Sequence, residues 1–232
     1  MKILAIETAT EACSAAVYCD GEIFHRYELA PRQHTQLILP MIEAVLAEAN
    51  LTQSEVDAIA FGQGPGAFTG LRIAVGVAQG LALALDKPLI AISTLAAMAQ
   101  QVLETQHTKT LRLLPAIDAR MNEVYWGSYI NQQGEVVLEG EEQVCPPERL
   151  LAESQCSAAV FGSGWEAYHT GLLEESPEWM VCQVEAVFPS AYYVAKLAAS
   201  AYQRGELVDA ADAEPVYLRN NVAKKKAEQG KS

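Results

Sequence analysis

The stretch KILAIETATEACSAAVYCDGEIFHRYEL, residues 2–29, reads as three strands joined by two short turns. Ile3-Leu4-Ala5-Ile6 is a compact apolar run, Cys13 to Cys19 a second and Ile23 to Leu29 a third. Short runs bounded by turn residues signal strands, and Asp20-Gly21 is the residue pair of a tight hairpin. A helix follows, with Leu37, Ile38, Met41, Ile42, Val45 and Leu46 on one face. Pro40 lies early in it, which predicts either a late start or a kink, because proline removes a backbone donor and crowds the preceding turn. Val56 to Phe61 then reads as a strand, Thr69 to Leu85 as a second helix and Pro88 to Ile92 as another strand. Ser93 or Thr94 is placed to cap a helix running to about Glu104.

The same order begins again near residue 108. Leu111 to Ile117, Glu123 to Ile130 and Val136 to Val144 read as strands. A short helix opens at Pro146-Pro147, Ala158 to Phe161 is a strand, and Ser190 to Arg204 is a helix with Ser190 as cap and Gly205 as stop. Three antiparallel strands followed by helix–strand alternation, twice over, predict a duplicated α/β unit. The expected division is residues 1–105 and 106–232, with the last helix and tail able to pack back on the first half.

Composition narrows the function classes. Of the 232 residues half are apolar and 19% charged, which fits a core-forming chain rather than a disordered one. Cys13, Cys19, Cys145, Cys156 and Cys182 form no C-x-x-C pair, so neither a zinc ribbon nor a thioredoxin-type centre is signalled. The N-terminal apolar run meets Glu7 too soon for a signal peptide. Leu71 to Leu85 carries Arg72 and Gln79 and falls short of the ~20 apolar residues that span a bilayer, so a cytoplasmic protein with no membrane contact is expected. The net charge is −13, made of −17 over residues 1–218 and +4 over 219–232. An acidic body repels phosphate backbones, which excludes a basic nucleic-acid binder. Lys224-Lys225-Lys226 either touches RNA weakly or is a solvated tail.

The most distinctive segment is Gly62-Gln63-Gly64-Pro65-Gly66-Ala67-Phe68-Thr69-Gly70-Leu71-Arg72. Glycines before a helix can aim backbone N–H groups at an anion. No Gly-Lys-Ser/Thr follows, and the glycine spacing does not match a dinucleotide fingerprint. The alternative is a tight turn with Thr69 as helix cap. In the next helix Gly76, Gly80 and Ala84 form one row of small residues, and Ala74, Ala78 and Ala82 another. Glycine inside a helix costs ~1 kcal/mol against alanine, so close approach of another backbone is the natural reason, within the chain or from a partner. Asp118-Ala119-Arg120 at a strand turn could orient a metal or phosphate, or pair internally. Glu7-Thr8-Ala9-Thr10 in the first half carries the same ambiguity. The histidines His25, His34, His107 and His169 never fall four apart, and neither H-E-x-x-H nor G-x-S-x-G occurs.

On Glu7–Thr10, Gly64–Arg72, Asp118–Arg120 and Glu214-Pro215-Val216-Tyr217-Leu218-Arg219 the sequence resembles the TsaB (YeaZ) family nearly end to end. That resemblance implies two RNase H-like subdomains of the actin/Hsp70/sugar-kinase-like superfold. It implies a subunit of the bacterial machine that makes threonylcarbamoyladenosine beside the tRNA anticodon, with the paralogue TsaD and the ATPase TsaE as partners. tRNA contact would fall mainly to those partners, as would ATP and metal. Alignment with TsaD puts Thr94 and Met98 where that protein holds its metal with two histidines, and a hydroxyl and a thioether do not replace two imidazoles.

A chain without catalysis or metal of its own is thus implied, not a peptidase. Its interface would be the first two helices, at His34, Leu37, Ile38, Met41, Arg72, Val75, Gly76, Gln79 and Gly80, with a homodimer through the same face when alone. A large charged residue at Val75 or Gly76 would then abolish the complex and leave the monomer folded. Glu7, Thr8, Thr10, Gly64, Gly66 and Asp118 would be a vestigial nucleotide turn. The competing reading is an ATP-binding enzyme using Glu7, Asp118 and the Gly64–Gly66 loop.

Overall fold

The computed structural model describes residues 1–106, 112–153, 157–168, 180–184 and 187–219; Lys224, Lys225 and Lys226 lie outside the described residues. Strands β1 (Lys2–Glu7), β2 (Ala12–Cys19) and β3 (Glu22–Leu29) form an antiparallel meander, with Cys19 opposite Glu22. Asp20 and Gly21 both take positive φ, as a two-residue hairpin whose twist matches its strands requires. Strand β4 (Ala58–Gly64) runs parallel to β1 and β5 (Leu89–Ser93) parallel to β4, so the sheet order is β3-β2-β1-β4-β5.

Helix α1 (His34–Glu48) already includes the turn before Pro40, so of the two expected outcomes the late start is not the one seen. Pro40 and Gln36, whose carbonyl loses its partner, both face solvent. Meanwhile Ile38, Ile42 and Val45 pack on the sheet and hold the helix in place. Helix α2 (Phe68–Leu85) is capped by the backbone of Ala67, not by Thr69, which sits inside the first turn. Its alanine row Ala74, Ala78, Ala82 is buried on the sheet, whereas Gly76, Gly80 and Ala84 face outward. Helix α3 (Thr94–Thr105) starts where the Ser93 hydroxyl accepts the Ala96 N–H.

The second half repeats the plan. Strands β6 (Arg112–Arg120), β7 (Glu123–Gln132) and β8 (Glu135–Cys145) form a meander. After α4 (Pro147–Glu153), β9 (Ala158–Phe161) joins β6 in parallel. The short helix α5 (Ser163–Ala167) and strand β10 (Met180–Val184), neither anticipated from sequence, complete the order β10-β9-β6-β7-β8. Read from the meander edge, both sheets have one topology, which makes the chain two RNase H-like units of the actin-like architecture.

Helix α6 (Ala191–Arg204), capped by Ser190 and stopped by Gly205, packs on β1 and β2 of the first sheet. One core cluster runs through both halves, joining Ile3 and Ile90 to Leu113, Tyr129 and Phe161 through Leu95 and Met98 of α3 and Val194 and Ala198 of α6. The halves are therefore fused across shared apolar packing, and their turns face each other across a cleft.

Candidate functional site

The β1–β2 turn, the glycine loop after β4, the β6–β7 turn and the C-terminal segment after α6 meet at that cleft, with α5 alongside. It encloses about 810 Å³, and its lining includes Thr10, Gly66, Phe68, Asp118, Tyr125 and Tyr217. These are the segments that are distinctive in the sequence, and the fold brings them together from positions up to two hundred residues apart.

The first contact is between turn and loop. The Ala67 N–H donates to the Ala9 carbonyl at 2.7 Å, and the Thr8 hydroxyl donates to the Gly70 carbonyl at 2.8 Å. A Cβ on Gly66 would lie 2.5 Å from that Ala9 oxygen, closer than carbon and oxygen can approach. Gly66 is thus required by the packing of the chain on itself. An amide that could have faced an anion, that of Ala67, is already engaged. Gly64, at φ +107, lies outside the cleft lining, and the Val216 carbonyl passes 3.1 Å from where its Cβ would be.

Glu7 lies beneath the cleft and does not line it. It is fully buried, accepting the Ala9 N–H at 2.6 Å and the Thr94 hydroxyl at 3.1 Å. Burial pushes its carboxyl up to about 7, against the lowering effect of those donors. Thr8 and Thr10 are buried beside it. The Thr10 carbonyl accepts the His34 ring N–H at 2.9 Å, which ties the turn to α1.

Across the cleft, Asp118 is committed to its own turn. Its carboxylate takes the Arg120 N–H and the Arg120 guanidinium, both at 2.8 Å, and the Tyr168 hydroxyl at 3.3 Å. Its backbone N–H donates to the Ser163 hydroxyl of α5. Arg120, Met121 and Asn122 all take positive φ, and Arg120 and Met121 project into solvent. Among the described residues no three His, Cys, Asp or Glu side chains gather in a way that could hold a metal ion. Thr94 and Met98 are both buried in α3, and Met98 packs against Gly162.

The residues proposed for the helical interface separate into three groups. Ile38, Met41 and Val75 are buried in the molecule's own core, Leu37 is half-buried against it, and His34 is buried beside the β1–β2 turn. A charge at Val75 would thus strike the monomer's core, which corrects the expectation that it leaves the fold intact. Arg72 and Gln79 are occupied by the C-terminal segment: the Arg72 Nε donates to the Tyr217 hydroxyl at 3.2 Å, and the Gln79 amide donates to the Ala210 and Ala213 carbonyls. Gly76 and Gly80 are open, with no atom of the described residues within 4 Å of an added Cβ.

The site residues that the sequence reading missed are Phe68, Val216, Tyr217 and Arg219, together with Ser163 and Glu166 of α5. All but the last two lie within motifs that were already distinctive, but nothing in their spacing pairs a C-terminal tyrosine with a helix start 149 residues earlier. Arg72 stacks over the Phe68 ring at 3.9 Å, and the Phe68 and Tyr217 rings lie 5.6 Å apart.

Comparison with known proteins bears on this arrangement. The family described as TsaD: tRNA N6-adenosine threonylcarbamoyltransferase matches residues 27–227. The tRNA threonylcarbamoyladenosine biosynthesis protein TsaB of Escherichia coli is 42% identical over 231 residues, covering 97% of this chain and 98% of its own. That of Haemophilus influenzae is also 42% identical, covering 97% of each chain. The structure of YeaZ from Pseudomonas aeruginosa is 48% identical and superposes with a TM-score of 0.85, over 94% of this chain and 99% of that one.

Proposed function

The chain belongs to the TsaB family of tRNA threonylcarbamoyladenosine biosynthesis proteins, and on that premise we propose that it is a non-catalytic scaffold and activator. In this reading it pairs with its paralogue TsaD, helps to recruit the ATPase TsaE, and works in the cytoplasm, where tRNA is modified. ATP and metal belong to those partners, and tRNA is held mainly by them, in keeping with the acidic body of this subunit.

The observation that carries the reading is the open glycine row of α2. Gly76 and Gly80 stand open among the described residues, on a face of α2 that also carries exposed Phe68, Arg72 and Leu83. Glycine mid-helix is unfavourable unless something needs the space, and no described part of the same chain uses it. Close helix–helix approach from a related fold would use it. Lacking two imidazoles at Thr94 and Met98, this chain would supply surface and leave chemistry to the paralogue.

Size-exclusion chromatography with light scattering, on the chain alone and mixed with TsaD from the same source, tests this. A mixed complex that replaces any free homodimer supports the scaffold role, and a chain that stays alone in the mixture defeats it. A second reading, a nucleotide-binding enzyme, draws on the cleft with Gly66 and Asp118 at its walls. Micromolar binding of magnesium-ATP to the isolated chain, by calorimetry, would favour it.

A further inference from the structure

The path of residues 206–219 is the feature that the scaffold reading leaves unused. Leaving α6, the chain pairs Val208 with Leu89 in both directions, at 2.9 and 2.8 Å, and so rounds the β5 edge of the first sheet. It then follows α2, where the Gln79 amide holds the Ala210 and Ala213 carbonyls at 2.9 and 3.1 Å. The Val216 N–H donates to the Gln63 carbonyl at 2.7 Å, and Tyr217 settles against Phe68 and Arg72 at the start of α2. Two residues on, the Arg219 guanidinium crosses to the second half. There it donates to the Ala119 and Arg120 carbonyls at 3.1 and 3.2 Å and pairs with the Glu123 carboxylate.

This segment is a strap with one end on the outward face of α2 and the other on the β6–β7 turn. Phe68, Arg72 and Gly76 are consecutive members of one i, i+4 row, so whatever covers Gly76 also abuts the Arg72–Tyr217 contact. Val216, Tyr217 and Arg219 at the same time line the cleft. The turn at its far end holds three successive residues at positive φ, a conformation that non-glycine residues keep only where contacts impose it, and two of the strap's bonds go to that turn's carbonyls.

We propose that the strap couples the α2 face to the cleft, so that docking of a partner on α2 fixes the β6–β7 turn through Tyr217 and Arg219. This rests on the scaffold reading, since the docking partner is the paralogue proposed there. Coupling of this kind is reciprocal: whatever stabilises the turn from within the cleft favours docking on α2 by the same factor. Gln79 and Arg219 act in it as positioning residues, and Arg72 and Tyr217 form the joint.

Hydrogen–deuterium exchange with mass spectrometry, on the full chain alone and with the paralogue, tests the coupling on peptides covering residues 118–123 and 214–219. Docking is expected to slow exchange in both peptides about tenfold. In R219A the effect at 214–219 should persist and the effect at 118–123 should vanish, because the link is cut beyond Tyr217. An unchanged 118–123 peptide in a wild-type complex overturns the coupling while leaving the scaffold reading intact. So does a docking effect on that peptide that survives in R219A. If no complex forms, the scaffold reading falls and this inference falls with it.

Discussion

The Thr94 hydroxyl donates to the Glu7 carboxylate at 3.1 Å in a pocket closed to solvent. One residue begins α3 and the other ends β1, so the bond pins the helix shared by both halves to the central strand of the first sheet. A carboxyl buried this completely is under-served by its few donors relative to water, which is why its proton is held up to about 7.

Stability should depend on pH accordingly. The carboxyl titrates higher in the folded chain than in the unfolded one, where it is near 4.5. Its contribution is fully present below that unfolded value and is lost as pH rises through about 7. Glu7→Gln keeps the shape without the charge. It should match wild type near pH 4.5 and exceed it above pH 7.5, by up to roughly 3 kcal/mol. Urea unfolding at the two pH values reads this directly, and parallel curves would show that Glu7 does not titrate there.

The open glycines make stability and assembly move in opposite directions. Gly76→Ala and Gly80→Ala should each stabilise the isolated chain by about 0.5–1 kcal/mol, since they remove backbone entropy and meet no neighbour among the described residues. Gly76→Trp should leave the melting temperature of the free chain nearly unchanged and abolish the mixed complex. Thermal melts and light scattering on the same samples separate the two effects.

Val75 should behave in the contrary way. It is 6% exposed within the core beneath α2, so Val75→Asp buries an unpaired charge and should cost at least about 3 kcal/mol or prevent folding. Circular dichroism of the free chain distinguishes this from a loss confined to the interface, which would leave the spectrum native.

The difference between Val75 and Gly76 shows how far the sequence could be read. The repeated strand–helix order, the Asp20-Gly21 hairpin and the caps at Ser93 and Ser190 were legible, because each rests on local chemistry. The outward face of α2 was legible in principle. Leu71, Ala74, Val75, Ala78 and Ala82 follow the 3–4 spacing of a core stripe, which leaves Gly76 and Gly80 opposite. Small residues on both faces hid that stripe. The strap was not legible, since residues 209–219 have no period and their partners, Gln63, Arg72 and Gln79, are set by the tertiary path alone. Pro40 does not delay the helix start, because its cost is borne where water can reach the freed carbonyl.

The glycine loop supplies the sharpest test of what its turn is for. Gly66→Ala would set a methyl group 2.5 Å from the Ala9 carbonyl oxygen, backbone against backbone, with no flexible side chain to give way. The Ala67–Ala9 hydrogen bond would have to lengthen, and the β1–β2 turn would have to lift off the start of α2. A loss of about 2 kcal/mol is expected in urea unfolding of the free chain, with no nucleotide or partner present. If Gly66→Ala instead unfolded like wild type and lost only magnesium-ATP binding, the loop would serve a ligand and not the fold. The nucleotide reading of the cleft would then displace the scaffold one.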